Sequence, residues 1–241
     1  MRPVLRLITA LLFSSTLLAC AATNSTLPSP ETPERTAAIE AWADRLMAQA
    51  RARELGTTAQ LKQLAGDVGG TMIKLKYRLK SRGSLLRKVR KVLHEKPNIT
   101  LETLVINDSL RYTMGVDDAP GGHHVRSVVK ALTALQASGH TVIKVKNYWR
   151  KGDNYSGVNT VLRSADGLEW ELQFHTMNSA DTNNATHPLY KVLRRVTTPL
   201  QTRQIIYDEM ASYWEKVPVP EGILMPKNLH DLEQIIFRDR P

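Results

Sequence analysis

From Ile73 to Lys80 the chain alternates without a break, Ile73, Leu75, Tyr77 and Leu79 against Lys74, Lys76, Arg78 and Lys80. That period predicts a half-buried strand with four cations along its open face. A second alternation sets Leu168, Trp170, Leu172 and Phe174 against Glu169, Glu171, Gln173 and His175. It follows Asp166-Gly167, a turn signal, and a shorter apolar run before that turn completes a predicted hairpin. If Ala165-Asp166-Gly167 is a three-residue loop with Gly167 left-handed, Leu162 opposes Trp170, Val158 opposes Phe174, Arg163 opposes Glu169 and Asn159 opposes Gln173. A two-residue turn would set Leu162 against Glu171 and mix the faces, so burial selects the longer loop. Glu171 then stands mid-strand on a polar face. Further strands are predicted over Val105 to Val116, where Leu110, Tyr112, Met114 and Val116 alternate, and over Thr141 to Trp149.

Between these runs the apolar spacing turns helical. Thr32 caps and Pro33 opens a helix carrying Ile39, Trp42, Leu46 and Met47 on one stripe, with an end expected near Glu54, before Gly56. Ser81-Arg82-Gly83 turns the chain, and Ser84 is the expected N-cap of a helix with Leu85, Leu86, Val89 and Val92 inward and Arg87, Lys88, Arg90 and Lys91 outward. His124 to Ala137 is helical in spacing and stops at Gly139. Two more helices are expected, Pro188 to Arg195 and Leu200 to Trp214, before an irregular proline-containing tail after Val217. Strands and helices interleaved in this way predict an α+β fold, a mixed sheet of about five strands flanked by helices.

The ends of the chain change the picture. Arg2 and Arg6 precede an apolar run, Leu7 to Leu18, too short to span a bilayer, and Leu17-Leu18-Ala19-Cys20 resembles a bacterial lipoprotein cleavage box. Residues 1–19 therefore read as a lipoprotein signal peptide and 20–31 as a flexible tether. Residues 32–216 form the folded domain and 217–241 the tail. The expectation is an exported protein, anchored in the membrane through lipidated Cys20 on the periplasmic side or cell surface. Cys20 is the only cysteine, which excludes an intramolecular disulfide. With 42% hydrophobic residues in 241 the chain can build a core and is not a disordered protein. Its net charge of +10 favours phosphate-rich partners: nucleotides, nucleic acid or anionic lipid headgroups.

Candidate chemistry follows from strand, turn and helix start in succession. Free backbone N–H groups, the positive helix end and the basic strand face together suit phosphate. Asp108 and Glu171 are acids on different strands beyond that cradle. Hard carboxylate oxygens suit Mg2+, which takes one or two protein carboxylates and completes its shell with phosphates and water. A magnesium nucleotide is the ligand this set suggests. Tyr155 reads either as a stacking surface for a base or as a loop aromatic covering the hairpin. His175 reads either as a charged phosphate ligand or as a donor to a backbone carbonyl. His123-His124 has no second ligand pair nearby and is not read as a metal site.

The order of these segments, from about Ile73 to Thr176, resembles the synthetase domain of the RelA/SpoT family, whose members transfer pyrophosphate from ATP to a nucleotide 3′-hydroxyl. Arg78, Lys80, Ser84 and Lys88 fit its phosphate-binding pattern, and Asp108 fits its metal-binding aspartate. Lys146-Asn147-Tyr148 resembles its K-D-Y block, Tyr155 in Y-S-G-V-N-T its acceptor-stacking tyrosine, and Glu171 to Thr176, E-L-Q-F-H-T, its E-V-Q-I-R-T. Asn147, Asn159 and His175 stand where the family has aspartate, histidine and arginine, and Arg111 follows Asp108 at a shorter spacing than the family arginine does. No His-Asp pattern of the family's hydrolase domain lies upstream. The resemblance implies a nucleotidyltransferase-like fold and a small, synthetase-only or toxin-like member. It implies Mg2+ held by Asp108 and Glu171, Gln173 orienting Glu171, and nucleotide contacts from Arg78, Lys80, Ser84, Lys88, Lys146, Tyr155, Asn159 and His175. Implied partners are ATP, a purine nucleotide or tRNA acceptor, and an immunity protein if the chain is a toxin. A membrane-tethered nucleotide- or nucleic-acid-binding module without turnover is the alternative.

Overall fold

The computed structural model describes residues 31–149, 154–195, 197–225 and 235–237. The predicted signal peptide and Cys20 lie outside the described residues. Among the described residues no helix is long and apolar enough to cross a membrane.

Helix α1 spans Pro33–Asp67, opened by Thr32, whose hydroxyl accepts from the Arg35 N–H at 3.3 Å. It passes straight through Gly56, where the sequence predicts its end. A glycine inside a helix costs about 1 kcal/mol relative to alanine, and the turns beyond it bury Leu61, Leu64 and Ala65 in the core, which outweighs that.

Strand β1 covers only Gly70–Ile73. The predicted strand from Ile73 to Lys80 is broken because Lys74 turns left-handed, φ 57°, and Leu75–Tyr77 winds into a 3-10 turn. The alternation resumes as a single antiparallel bridge, Leu79 to Leu110, after which helix α2 runs over Arg82–Glu95. Its N-cap is Ser81 rather than Ser84: the Ser81 hydroxyl accepts from the Ser84 N–H at 3.4 Å, so the helix begins one turn earlier than predicted.

Strand β2 (Arg111–Val116) lies inside the predicted 105–116 run, followed by α3 (His123–Ala137) and β3 (Thr141–Asn147). Strands β4 (Val158–Arg163) and β5 (Glu169–His175) form the hairpin in the predicted register, with Gly167 at φ 88°. Helix α4 covers Met177–Leu193, starting well before the predicted Pro188 and carrying that proline inside it, and α5 covers Leu200–Trp214. The tail is not wholly irregular: Ile223 is fully buried, and Ile235–Phe237 adds a short strand β6.

The sheet is mixed, in the order β1-β2-β5-β4-β3-β6, with β2/β5 and β3/β6 parallel and the other pairs antiparallel. The α+β class is as predicted. Tyr112, Met114 and Val116 of β2, Trp170, Leu172 and Phe174 of β5, and Val158 and Leu162 of β4 face one side. There they pack with Leu61 and Leu64 of α1 and Val128, Leu132 and Leu135 of α3. A second cluster joins Ile39 and Ala43 of α1 to Leu85, Leu86 and Val89 of α2. The other side of the sheet is left polar, and that is where the candidate chemistry gathers.

Candidate functional site

Strand parity builds the site. In the β2/β5 ladder Arg111 pairs with Glu171 and Thr113 with Gln173, Gln173 in turn opposes Asn159 of β4, and Asn159 opposes Lys146 of β3. Paired residues point to the same side of a sheet, so Arg111, Thr113, Glu171, Gln173, Asn159 and Lys146 form one continuous polar surface opposite the core.

Asp108 enters this surface from the loop before β2, where both of its carboxylate oxygens are taken. Lys80 reaches Oδ2 at 2.8 Å and Lys88 reaches Oδ1 at 2.7 Å. Burial alone would raise the Asp108 carboxyl, but Lys88 and Lys80 together outweigh it and hold it below the usual carboxylate range. Glu171 behaves oppositely. Burial pushes its carboxyl up and the charge of Asp108 adds to that, while Arg111 and the Gln173 amide pull it down without cancelling the rise. The Gln173 amide donates to Glu171 Oε1 at 2.8 Å and so fixes the carboxylate's orientation. Two carboxylates within electrostatic reach, one held low and one raised, are an arrangement that allows acid and base roles to separate.

Arg78 is held by a different partner. Its guanidinium forms an ion pair with Glu54, a buried residue of α1 whose carboxylate also accepts from the Thr58 hydroxyl at 2.9 Å. Ser84 accepts from Ser81 Oγ at 3.0 Å and from Arg87 at 2.9 Å, so its hydroxyl serves the start of α2. Of the predicted cradle, Lys80 and Lys88 meet at Asp108, whereas Arg78 and Ser84 have structural partners.

Beyond the β4/β5 end of the face lies a hydrogen-bonded chain. The Tyr155 hydroxyl donates to Asn159 Oδ1 at 2.8 Å and lies 3.1 Å from His175 Nε2, and His175 Nδ1 lies 2.9 Å from Ser179 Oγ on α4. Tyr155 is half-buried, its ring edge-on to Tyr148, His175 and Trp214. Burial raises its phenol far above the ordinary value, with the charge of Glu171 adding to the effect. His175 is fully buried, and burial, with Lys74 and His124 adding, lowers it to about 3. A neutral, enclosed imidazole does not act as the charged phosphate ligand that one sequence reading allows; it positions Tyr155 instead. Gly157 makes this possible: a Cβ there would stand 2.9 Å from His175 Cε1, 3.1 Å from Tyr155 Oη and 3.2 Å from the Phe174 carbonyl oxygen.

Asn147, in the K-N-Y block, is buried and structural. Its amide donates to the Ile223 carbonyl at 2.7 Å and its Oδ1 accepts from the Trp149 N–H at 3.0 Å, pinning the tail to β3. Glu54 and Ser179, which hold Arg78 and His175, were not singled out from the sequence; each lies on a helix whose packing against the site only the fold reveals.

Among the described residues no three His, Cys, Asp or Glu side chains cluster as a metal site. Asp108 and Glu171 nevertheless fit a hard divalent cation of the kind that keeps only one or two protein carboxylates. They are mutually unfavourable charges that such a cation would reconcile.

No protein-family model matches the chain, and no curated protein matches it. Solved structures do resemble it. The Type VI effector Tas1, crystallised with its immunity protein, is 21% identical over 71% of this chain and 94% of that one, with a TM-score of 0.45. Small alarmone synthetase 1 from Bacillus subtilis, bound to its product pppGpp, is 17% identical over 71% and 92%, with a TM-score of 0.46. Small alarmone synthetase 2 from Bacillus subtilis is 14% identical over 72% and 94%, with a TM-score of 0.47. Alarmone synthetases are thus among the structures this chain is similar to.

Proposed function

We propose that the protein is a pyrophosphokinase that transfers the β,γ-pyrophosphate of ATP to the 3′-hydroxyl of a purine nucleotide. The observation that carries this reading is an Asp108 clamped by two lysines at the entry to β2, within electrostatic reach of a raised, amide-oriented Glu171 on the neighbouring β5. The motif resemblance from Ile73 to Thr176 supplies the reaction class.

Asp108 and Glu171 are the residues that would hold Mg2+, and the ion, when bound, would supply positive charge against that building on the transferred phosphates. Lys80 and Lys88 release Asp108 as nucleotide arrives and close on the phosphate oxygens, where their charge counts most in the transition state. The acceptor 3′-oxygen attacks the β-phosphorus in line, the bond from that phosphorus to the bridging oxygen breaks, and AMP departs with the oxygen. The proton of the acceptor hydroxyl passes to Glu171, whose carboxyl burial holds above its ordinary range. Gln173 keeps Oε1 turned toward the hydroxyl, and the Asn159–Tyr155–His175 chain fixes the surface that receives the acceptor. Export and anchoring through Cys20, use as a toxin with an immunity partner, and tRNA as acceptor belong to this proposal as extensions that start from the N-terminal sequence and the resemblance.

The test is to incubate the purified protein with Mg2+, γ-labelled ATP and, in separate reactions, GDP, GTP, ADP, ATP or deacylated tRNA, beside Glu171→Gln. Label is expected on one acceptor class and to fall by about a thousandfold or more with the variant, the range for loss of a proton acceptor that also binds metal. Transfer that survives Glu171→Gln undiminished would refute the assignment.

A further inference from the structure

Lys74 stands apart from every other cation of the site. It is the one non-glycine residue with positive φ among the described residues, at 57°. A lysine in the left-handed region is strained, and such strain persists where the surrounding fold enforces it, often at ligand-binding positions. The strain here comes from the 3-10 turn over Leu75–Tyr77, which interrupts the ladder from β1 toward Leu79. Lys74 is also half-buried, yet among the described residues its ammonium makes no hydrogen bond or ion pair. The cradle cations differ: Lys80 and Lys88 have Asp108, and Arg78 has Glu54.

The surroundings of Lys74 are specific. Arg111, itself without an ion pair among the described residues, lies on the neighbouring strand and repels it, and Asp181 on α4 attracts it without pairing. Lys74 follows Ile73, which pairs with Thr113, two residues along β2 from Gly115 and its partner His175. Lys80 bonds to Ser109 on the other side of Arg111, so Lys74 stands toward the Tyr155–His175 end and away from the Lys80–Lys88 clamp. A Cβ at Gly115 would stand 2.8 Å from Met177 Sδ and 3.7 Å from Ile73, which brings the start of α4 over this end of β2. A half-buried ammonium next to a guanidinium, with Asp181 and Glu171 in electrostatic range but in no ion pair with either cation among the described residues, is a site prepared for an anion.

We propose that Lys74, with Arg111, binds the 5′-phosphates of the acceptor nucleotide, separately from the Lys80–Lys88 cradle that takes the donor. This rests on the reading of the protein as a pyrophosphokinase, and it adds the chemistry by which the site selects a phosphorylated acceptor over a bare nucleoside.

The experiment saturates the donor cradle of the full chain with α,β-methylene-ATP and Mg2+, which cannot transfer, and then titrates GDP and ADP against guanosine and adenosine by calorimetry. Wild type is expected to bind at least one diphosphate tenfold or more tightly than its nucleoside. Lys74→Gln should remove that preference while leaving nucleoside affinity within twofold. Lys74→Gly separates binding from folding: glycine accepts this φ without strain, so the thermal midpoint should not fall, yet the diphosphate preference should vanish. Retention of the preference in Lys74→Gly, or no preference in wild type, overturns the inference. A Lys74-dependent preference in a protein that transfers no label from ATP would leave this inference standing while the catalytic reading fell.

Discussion

At the residue scale the site depends on a few positions where one atom more or less decides the outcome. Gly157 is such a position, because its missing Cβ is the space that His175, Tyr155 and the Phe174 carbonyl share. Gly157→Ala should push the imidazole and phenol apart, raising acceptor KM about tenfold or more with a smaller change in kcat, as steady-state kinetics would show. Glu171 and Gln173 were legible in the sequence because strict alternation fixes their side of the sheet. Burial of His175 was not legible, since it comes from Ser179 on a helix that the polar run N-S-A-D-T-N-N does not announce. The locking of Arg78 was equally hidden, because its partner Glu54 arrives from α1.

At the scale of elements, the β4/β5 hairpin shows how far pattern alone reaches. Its register follows from the requirement that Leu162 and Trp170 share the buried face, and Arg163 meets Glu169 at 2.7 Å as that register demands. The strand predicted from Ile73 to Lys80 failed for a local reason: one left-handed residue converts an alternating segment into a 3-10 turn and carries Lys74 out of the row of cations. Helix α4 escaped notice because its start is secured by capping, Thr176 Oγ1 accepting from the Ser179 N–H at 3.1 Å, rather than by an apolar stripe. Two stability predictions belong here. Trp170→Ala, which empties a fully buried position at the centre of the core, should cost about 3–5 kcal/mol in denaturant unfolding. Ser81→Ala, which removes the cap of α2, should cost about 1 kcal/mol and leave the β-sheet signature in circular dichroism unchanged.

At the scale of the whole molecule, two enclosed histidines set the response to acid. Burial lowers His175 to about 3 and His124 to about 4, against an unfolded value near 6.5. Between those limits the unfolded chain takes up protons that the folded protein refuses, so their contribution to stability is full above pH about 6.5 and is lost as pH falls toward 4. The depressed Asp108 carboxyl acts in the same direction below its unfolded value, while the raised Glu171 carboxyl acts oppositely. Unfolding free energy should therefore fall by up to about 1.4 kcal/mol per pH unit for each histidine between pH 6 and 4. A His124→Met variant should show a shallower slope in urea titrations across that range; an unchanged slope would count against the buried neutral imidazole.

The strong positive charge of the chain fits a site for phosphates, but charge alone does not distinguish transfer from binding, whereas the leaving group does. The most direct measurement is the ratio of AMP to ADP formed when the protein, Mg2+ and ATP are incubated with the acceptor that takes up label. The account predicts one AMP for each acceptor modified, with formation of both lost together in Glu171→Gln. ADP and inorganic phosphate without AMP, or no nucleotide turnover with any acceptor, would contradict it.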